Sequence, residues 1–168
     1  MLTNSNTVLD SFCNSLGDLV KFYGNVAPQI SLVEESAASH DFTAIIGLCD
    51  IGLSASIALS TDAETLKSLS SITLVDLADW LGELSNQLAG RFKNKLCQFG
   101  LQPQLTTPTT VSGKMLMLGA LAGEVHVYSM RWPTGQFEAQ LSLELDESLE
   151  LRLDPALASA EEGSLDLF

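Results

Sequence analysis

A chain of 168 residues, 46% of them apolar and 17% charged, suits one domain that buries roughly 70% of its unfolded surface and leaves too little chain for a second core. Its formal charge of −13, from 21 acidic against 8 basic side chains, argues against nucleic acid and anionic membrane surfaces, which are bound through clustered Lys and Arg. No basic n-region with an apolar h-region opens the sequence and no apolar run approaches the ~20 residues of a transmembrane helix, so a cytoplasmic protein is expected.

In chain order, the first element is a helix over about Thr7 to Tyr23, with Val8, Leu9, Phe12, Leu16, Leu19, Val20 and Tyr23 on one face. Gly24 and Asn25, then Pro28, stop it. Gln29 to Glu34 reads as a strand. Phe42 to Cys49 and Leu53 to Leu59 read as a hairpin about Asp50-Ile51-Gly52, the second arm alternating Leu53, Ala55, Ile57 and Leu59 with serines. Thr61 with Glu64 signals a capping box for a short helix through about Leu69. Thr73, with Asp76 three residues on, caps a long helix that Gly100 ends after Phe99. An extended stretch to Ser112 follows Pro103. Two strands, Gly123 to Trp132 and Phe137 to Asp146, flank Pro133-Thr134-Gly135. The last alternates Phe137, Ala139, Leu141, Leu143 and Leu145 with Glu138, Gln140, Ser142, Glu144 and Asp146, a pattern that buries one face and wets the other. The domain is thus expected over 1–146. Residues 147–168 form an acidic, aromatic-poor tail expected to be poorly ordered, with Leu149, Leu151, Leu153 and Leu157 leaving room for a short docking segment.

The long helix carries the most information. Leu74, Leu77, Leu81, Leu84, Leu88, Phe92 and Leu96 form its apolar stripe. At about 100° per residue, Asp76, Asp79, Glu83, Asn86, Gln87, Gly90 and Asn94 share the opposite face. An asparagine and a glycine each cost up to ~1 kcal/mol against alanine in a helix interior. Their presence beside a carboxylate marks a surface where another molecule lands. Arg91, Lys93 and Lys95 crowd the last turns, either as partners of the helix C-terminus or as a basic rim to that surface.

Other chemistries find little support. His40 and His126 are isolated and read as structural. No Ser-His or Cys-His pairing stands at a known spacing, and no Walker loop or Gly-x-Gly-x-x-Gly appears. Cys13, Cys49 and Cys97 lack the spacing of a disulfide framework or zinc site and read as small buried hydrophobes. The acidic residues of the long helix have no histidine at helical spacing, so a magnesium site of the chain's own is not expected.

Asp79, Glu83 four residues on, Asn86 three further, and Pro108 about two dozen residues later resemble the motif of the CheC/CheX/FliY phosphatases of bacterial chemotaxis. Ile51 to Ser60 is similar to that family's strand before the helices, Leu81 to Gly90 to its active-site helix, and Pro108 to Gly113 to its next strand. The resemblance covers about Asp41 to Asp146, with the Asn-to-Pro interval one residue short of the usual spacing. Only Asn86, among asparagines 4, 6, 14, 25, 86 and 94, has a Glu three residues before it, so the chain resembles the single-motif CheX-like members.

The resemblance implies a CheC-like α+β fold: a mostly antiparallel sheet packed by the long active-site helix and a shorter one, with an added N-terminal helix. It implies a phosphatase acting on the aspartyl phosphate of a CheY-like response regulator. Asn86 would orient the attacking water and Glu83 would pair with the receiver's lysine, while Mg²⁺ comes with the receiver. Asp79, Gln87 and Gly90 would form the docking surface, Gly90 by admitting the partner's backbone. A homodimer fits the same resemblance. The alternative is a non-catalytic adaptor of the flagellar-switch type, since such proteins share the fold.

Overall fold

The computed structural model describes residues 4–34, 40–70, 76–116 and 123–154. Helix α1 spans Asn4–Gly24 and buries Val8, Phe12, Leu16, Leu19 and Val20. Ser11 and Ser15 are also buried, and their hydroxyls donate to the carbonyls of Thr7 and Ser11, each at 2.8 Å. That back-bonding satisfies a polar group that would otherwise be costly in the core. Asn25 adopts a left-handed backbone, φ 49°, and terminates the helix as expected.

Seven strands form one antiparallel sheet: β1 Gln29–Val33, β2 His40–Asp50, β3 Leu53–Thr61, β4 Gln104–Leu105, β5 Thr109–Leu116, β6 Glu124–Trp132 and β7 Gly135–Leu145. Their order is β1-β6-β7-β3-β2-β4, with β5 also paired to β2. The β2–β3 hairpin runs from Phe42 opposite Thr61 to Asp50 opposite Leu53. Gly52 supplies its turn with φ +77°, a conformation that side chains resist.

The two shorter caps differ from expectation by small shifts. Helix α2 is Ala63–Leu69, and its cap is Asp62, whose Oδ1 accepts from the Thr65 amide at 2.7 Å. Thr61 instead closes β3, and its hydroxyl donates to the Gln136 carbonyl at 2.6 Å. Helix α3 is Leu77–Cys97, capped by Asp76 itself, which accepts from the Ala78 and Asp79 amides. Thr73 and Leu74 lie outside the described residues. Past Cys97 the chain tightens: the Phe99 and Gly100 amides donate to Leu96 and Cys97, and Gly100 then turns with φ +83°.

The three described helices contribute to one core. Phe12 of α1 meets Phe92 of α3 edge-on at 5.3 Å and Tyr128 of β6 at 5.5 Å, so one ring joins both helices to the sheet. Leu81, Leu84, Leu88, Phe92 and Leu96 are fully buried, as the stripe requires. Two expectations need correction. Glu138, Gln140 and Ser142 of β7 are 6%, 4% and 3% exposed, so the middle of its second face is buried, while Glu144 and Asp146 further on are exposed as expected. β7 is an interior strand flanked by β3 and β6, and His40 Nε2 lies 3.6 Å from Glu138 Oε1. Cys49 is exposed, and Cys13 and Cys97 are only half-buried; Cys49 lies next to the β2–β3 turn, opposite Ser54.

Three of the first eight residues of the segment expected to be poorly ordered, Leu149, Leu151 and Asp154, are tied to the domain. Leu149 and Leu151 lie against the core. Asn4 donates to the Leu149 carbonyl and accepts from the Leu151 amide, and the Asp154 amide reaches the Gln98 carbonyl at 2.8 Å. Residues 155–168, including Leu157, lie outside the described part.

Candidate functional site

The polar face of α3 is set by what its other faces must do. Gly82, Ser85 and Ala89 are buried alongside the leucines, and these small residues let the helix settle close to the sheet. A Cβ built at Gly82 would stand 3.2 Å from Thr110 Oγ1 of β5. The strand that begins after Pro108 therefore runs along one flank of the helix. Asn86, one turn after Gly82, follows on that flank. Trp80, Gln87 and Arg91 follow on the opposite flank, towards α1.

Asp79, Glu83 and Asn86 are exposed, and Gln87 and Gly90 are half-exposed. The structure thus brings the five candidate residues onto one accessible face. Gln87 Nε2 donates to Glu83 Oε1 at 2.8 Å, which holds the carboxylate against the helix one turn further on. Asp79 lies in the first turn, where a carboxylate complements the helix dipole. A Cβ at Gly90 would meet no described atom within 4 Å, so the fold itself gives no packing reason for a glycine there.

Sequence reasoning passed over an aromatic border. Tyr23, at the end of α1, stacks edge-on against Trp80 at 5.4 Å and Phe22 at 4.9 Å. Burial pushes the Tyr23 phenol up, the Glu83 carboxylate pushes it further, and the Arg91 guanidinium pulls it back. Both ends of the α3 face are therefore within electrostatic reach of α1. Of the basic residues in the last turns, Arg91 stands 5.1 Å above the Phe22 ring and Lys95 pairs with Asp18 at 2.8 Å. Both turn towards α1 rather than to the helix end. The only sequence signal of this border was Tyr23 on the apolar face of α1.

Among the described residues no three His, Cys, Asp or Glu side chains come together as a metal site. His40 and His126 instead lie near Glu138 and Glu124. Among the described residues no helix is long and apolar enough to cross a membrane.

A sheet of this order with α3 laid across β2, β3 and β5 is similar in fold to several solved structures. A CheC-like superfamily protein from Shewanella sp. PV-4 superposes with a TM-score of 0.71 at 21% identity, over 82% of this chain and 97% of that one. The chain has the CheC-like fold. CheX of Vibrio vulnificus gives 0.69 at 19% identity, over 82% and 99%. CheX of Borrelia burgdorferi, solved with CheY, BeF₃ and Mg²⁺, gives 0.66 at 19%, over 82% and 97%. No family model matches the sequence, and no curated protein matches it. The α+β architecture expected from the sequence is the one observed.

Proposed function

We propose that this chain is a phosphatase for the aspartyl phosphate of a CheY-like receiver domain. The observation that carries the reading is the pair Glu83 and Asn86, one turn apart and both exposed on α3 of a CheC-like fold, with Glu83 fixed by Gln87 and bare Gly90 beside them. A carboxylate and a carboxamide on an open helix face make no small-molecule pocket. They are placed to complete a site that another protein carries. The complex of a CheX with CheY, BeF₃ and Mg²⁺ supports a receiver domain as that protein.

The phosphoryl group, Mg²⁺ and lysine belong to the receiver. The Asn86 carboxamide accepts a hydrogen bond from a water and donates one to a phosphoryl oxygen, so that the water stands in line with the scissile P–O bond. The water oxygen bonds to phosphorus as the P–O bond to the receiver's aspartate breaks, the aspartate leaves as carboxylate, and the water's protons leave on the released dihydrogen phosphate. Positioning and charge stabilisation account for most phosphoryl-transfer catalysis, so an amide with no acid–base chemistry suffices. Glu83 pairs with the receiver's lysine and sets the register.

The test is Asn86→Ala with a phosphorylated receiver domain and Mg²⁺. The wild type accelerates phosphate release and the variant does not, while both bind the receiver. A variant as fast as the wild type overturns the mechanism. A wild type that binds without accelerating release is an adaptor.

A further inference from the structure

Thr110 sits on the α3 side of the sheet. It lies opposite Ala44, a fully buried core residue, and cross-strand partners share a face. Strand alternation turns its neighbours Thr109 and Val111 the other way, and both are exposed. The Thr110 hydroxyl comes to Gly82. A Cβ built there would stand 3.2 Å from Oγ1, which is the only described atom from outside α3 within 4 Å of it. Helical side chains lean towards the turn before their own, so Asn86, one turn on, leans back to the same spot. A hydroxyl from β5 and a carboxamide from α3 thus border a gap over Gly82 that any larger residue would narrow. Among the described residues neither group has a hydrogen-bond partner. Strand packing gives no reason for an oxygen at position 110, because valine has the same shape and forms strands as well.

We propose that Thr110 is a second catalytic residue, holding the attacking water together with Asn86. The inference rests on the phosphatase reading and adds the group that fixes how the water faces phosphorus. A water held by one carboxamide still turns about that bond, whereas ordered waters make about three hydrogen bonds. One O–H of the water is donated to Asn86 Oδ1 and the other to Thr110 Oγ1. Both of its protons are then bound on this chain, and a lone pair is left for phosphorus. Thr110 takes no proton in the step: the new O–P bond forms as the P–O bond to the receiver's aspartate breaks, and the water's protons leave on the released phosphate. The contribution is one of orientation, the kind on which phosphoryl transfer chiefly depends. Gly82 is what allows it, since a side chain there would stand between the strand hydroxyl and the helix carboxamide.

The experiment uses the full chain and a CheY-like receiver, phosphorylated with acetyl phosphate in Mg²⁺ for turnover and loaded with beryllofluoride for calorimetry. Thr110→Val keeps the shape and removes the hydroxyl. It is expected to lower the maximal rate about three- to tenfold, the worth of one hydrogen bond. The half-saturating receiver concentration, the calorimetric affinity and the melting temperature are expected to stay at wild-type values. Thr110→Ser keeps the hydroxyl and loses the methyl, and is expected to turn over within about twofold of wild type. Thr110→Val as fast as wild type overturns the proposal and leaves the phosphatase reading intact. Equal losses in Thr110→Val and Thr110→Ser assign the effect to packing and also overturn it. A wild type that does not accelerate phosphate release overturns both.

Discussion

Gln87 and Glu83 are joined by a 2.8 Å hydrogen bond on the exposed face of α3, amide nitrogen to carboxylate oxygen. A glutamate on a helix surface ordinarily samples several rotamers. This one has its orientation already selected, so in the proposed docking part of the ordering cost is met inside the helix. Under the proposed function the glutamine is a positioning residue, acting through Glu83.

Glu83→Ala is expected to weaken receiver affinity by ~1.5–3 kcal/mol, the range for a lost charge-assisted hydrogen bond, with little change in maximal rate. Gln87→Ala should lose less, ~0.5–1.5 kcal/mol, and should change nothing once Glu83 is already alanine. Additive losses in the double variant, measured by calorimetry, would show that Gln87 contacts the partner by itself.

Gly90→Ala should stabilise the chain by up to ~1 kcal/mol, since alanine is the better helix former and the space beside it is open. Gly90→Leu should keep that stability but weaken receiver binding. Thermal melts read the first effect and binding isotherms the second. Equal affinity of wild type and Gly90→Leu would remove this glycine from the docking surface.

Asn4 ties the start of α1 to the segment after β7 through Leu149 and Leu151. Asn4→Ala should lower unfolding free energy by about 1–2 kcal/mol, the worth of one or two hydrogen bonds to partly buried backbone. A urea midpoint unchanged from wild type would mean that apolar packing of Leu149 and Leu151 holds the segment unaided.

The Tyr128 phenol is pushed up to about 12, chiefly by burial and then by nearby Cys13 and Asp10. The folded state holds this proton more tightly than the unfolded chain, where the phenol titrates near 10. Its contribution is therefore fully present below pH 10 and is lost as pH rises towards 12. Tyr128→Phe should flatten that part of the stability profile. Parallel alkaline declines for both proteins, followed by circular dichroism, would assign the loss elsewhere.

The α3 stripe, the β2–β3 hairpin and the shared face of Asp79, Glu83, Asn86, Gln87 and Gly90 were legible because each depends on local periodicity. The caps were misplaced where two oxygen-bearing residues compete: Asp62 stands beside Thr61, and Asp76 follows Thr73 three residues later. In both helices the cap is the aspartate directly before the first helical residue. Alternation along β7 shows which residues share a face but not whether that face is covered, hence the buried Glu138, Gln140 and Ser142. The pairing of Phe22 with Arg91 joins helices far apart in sequence, and no local pattern encodes it.

The strand order has a consequence for synthesis. Among the described strands β1 pairs with β6 alone, Gln29 opposite Arg131 and Val33 opposite Val127, roughly a hundred residues downstream. While the chain emerges from its N-terminal end, β1 has no sheet to join until β6 has been made, and α1 has no α3 to pack on until the middle of the chain is out. Such distant pairing slows folding and leaves early segments without their partners. The β2–β3 hairpin, closed across a two-residue turn, is the part of the sheet able to form first, and the N-terminal helix and strand are among the last pieces to be locked in.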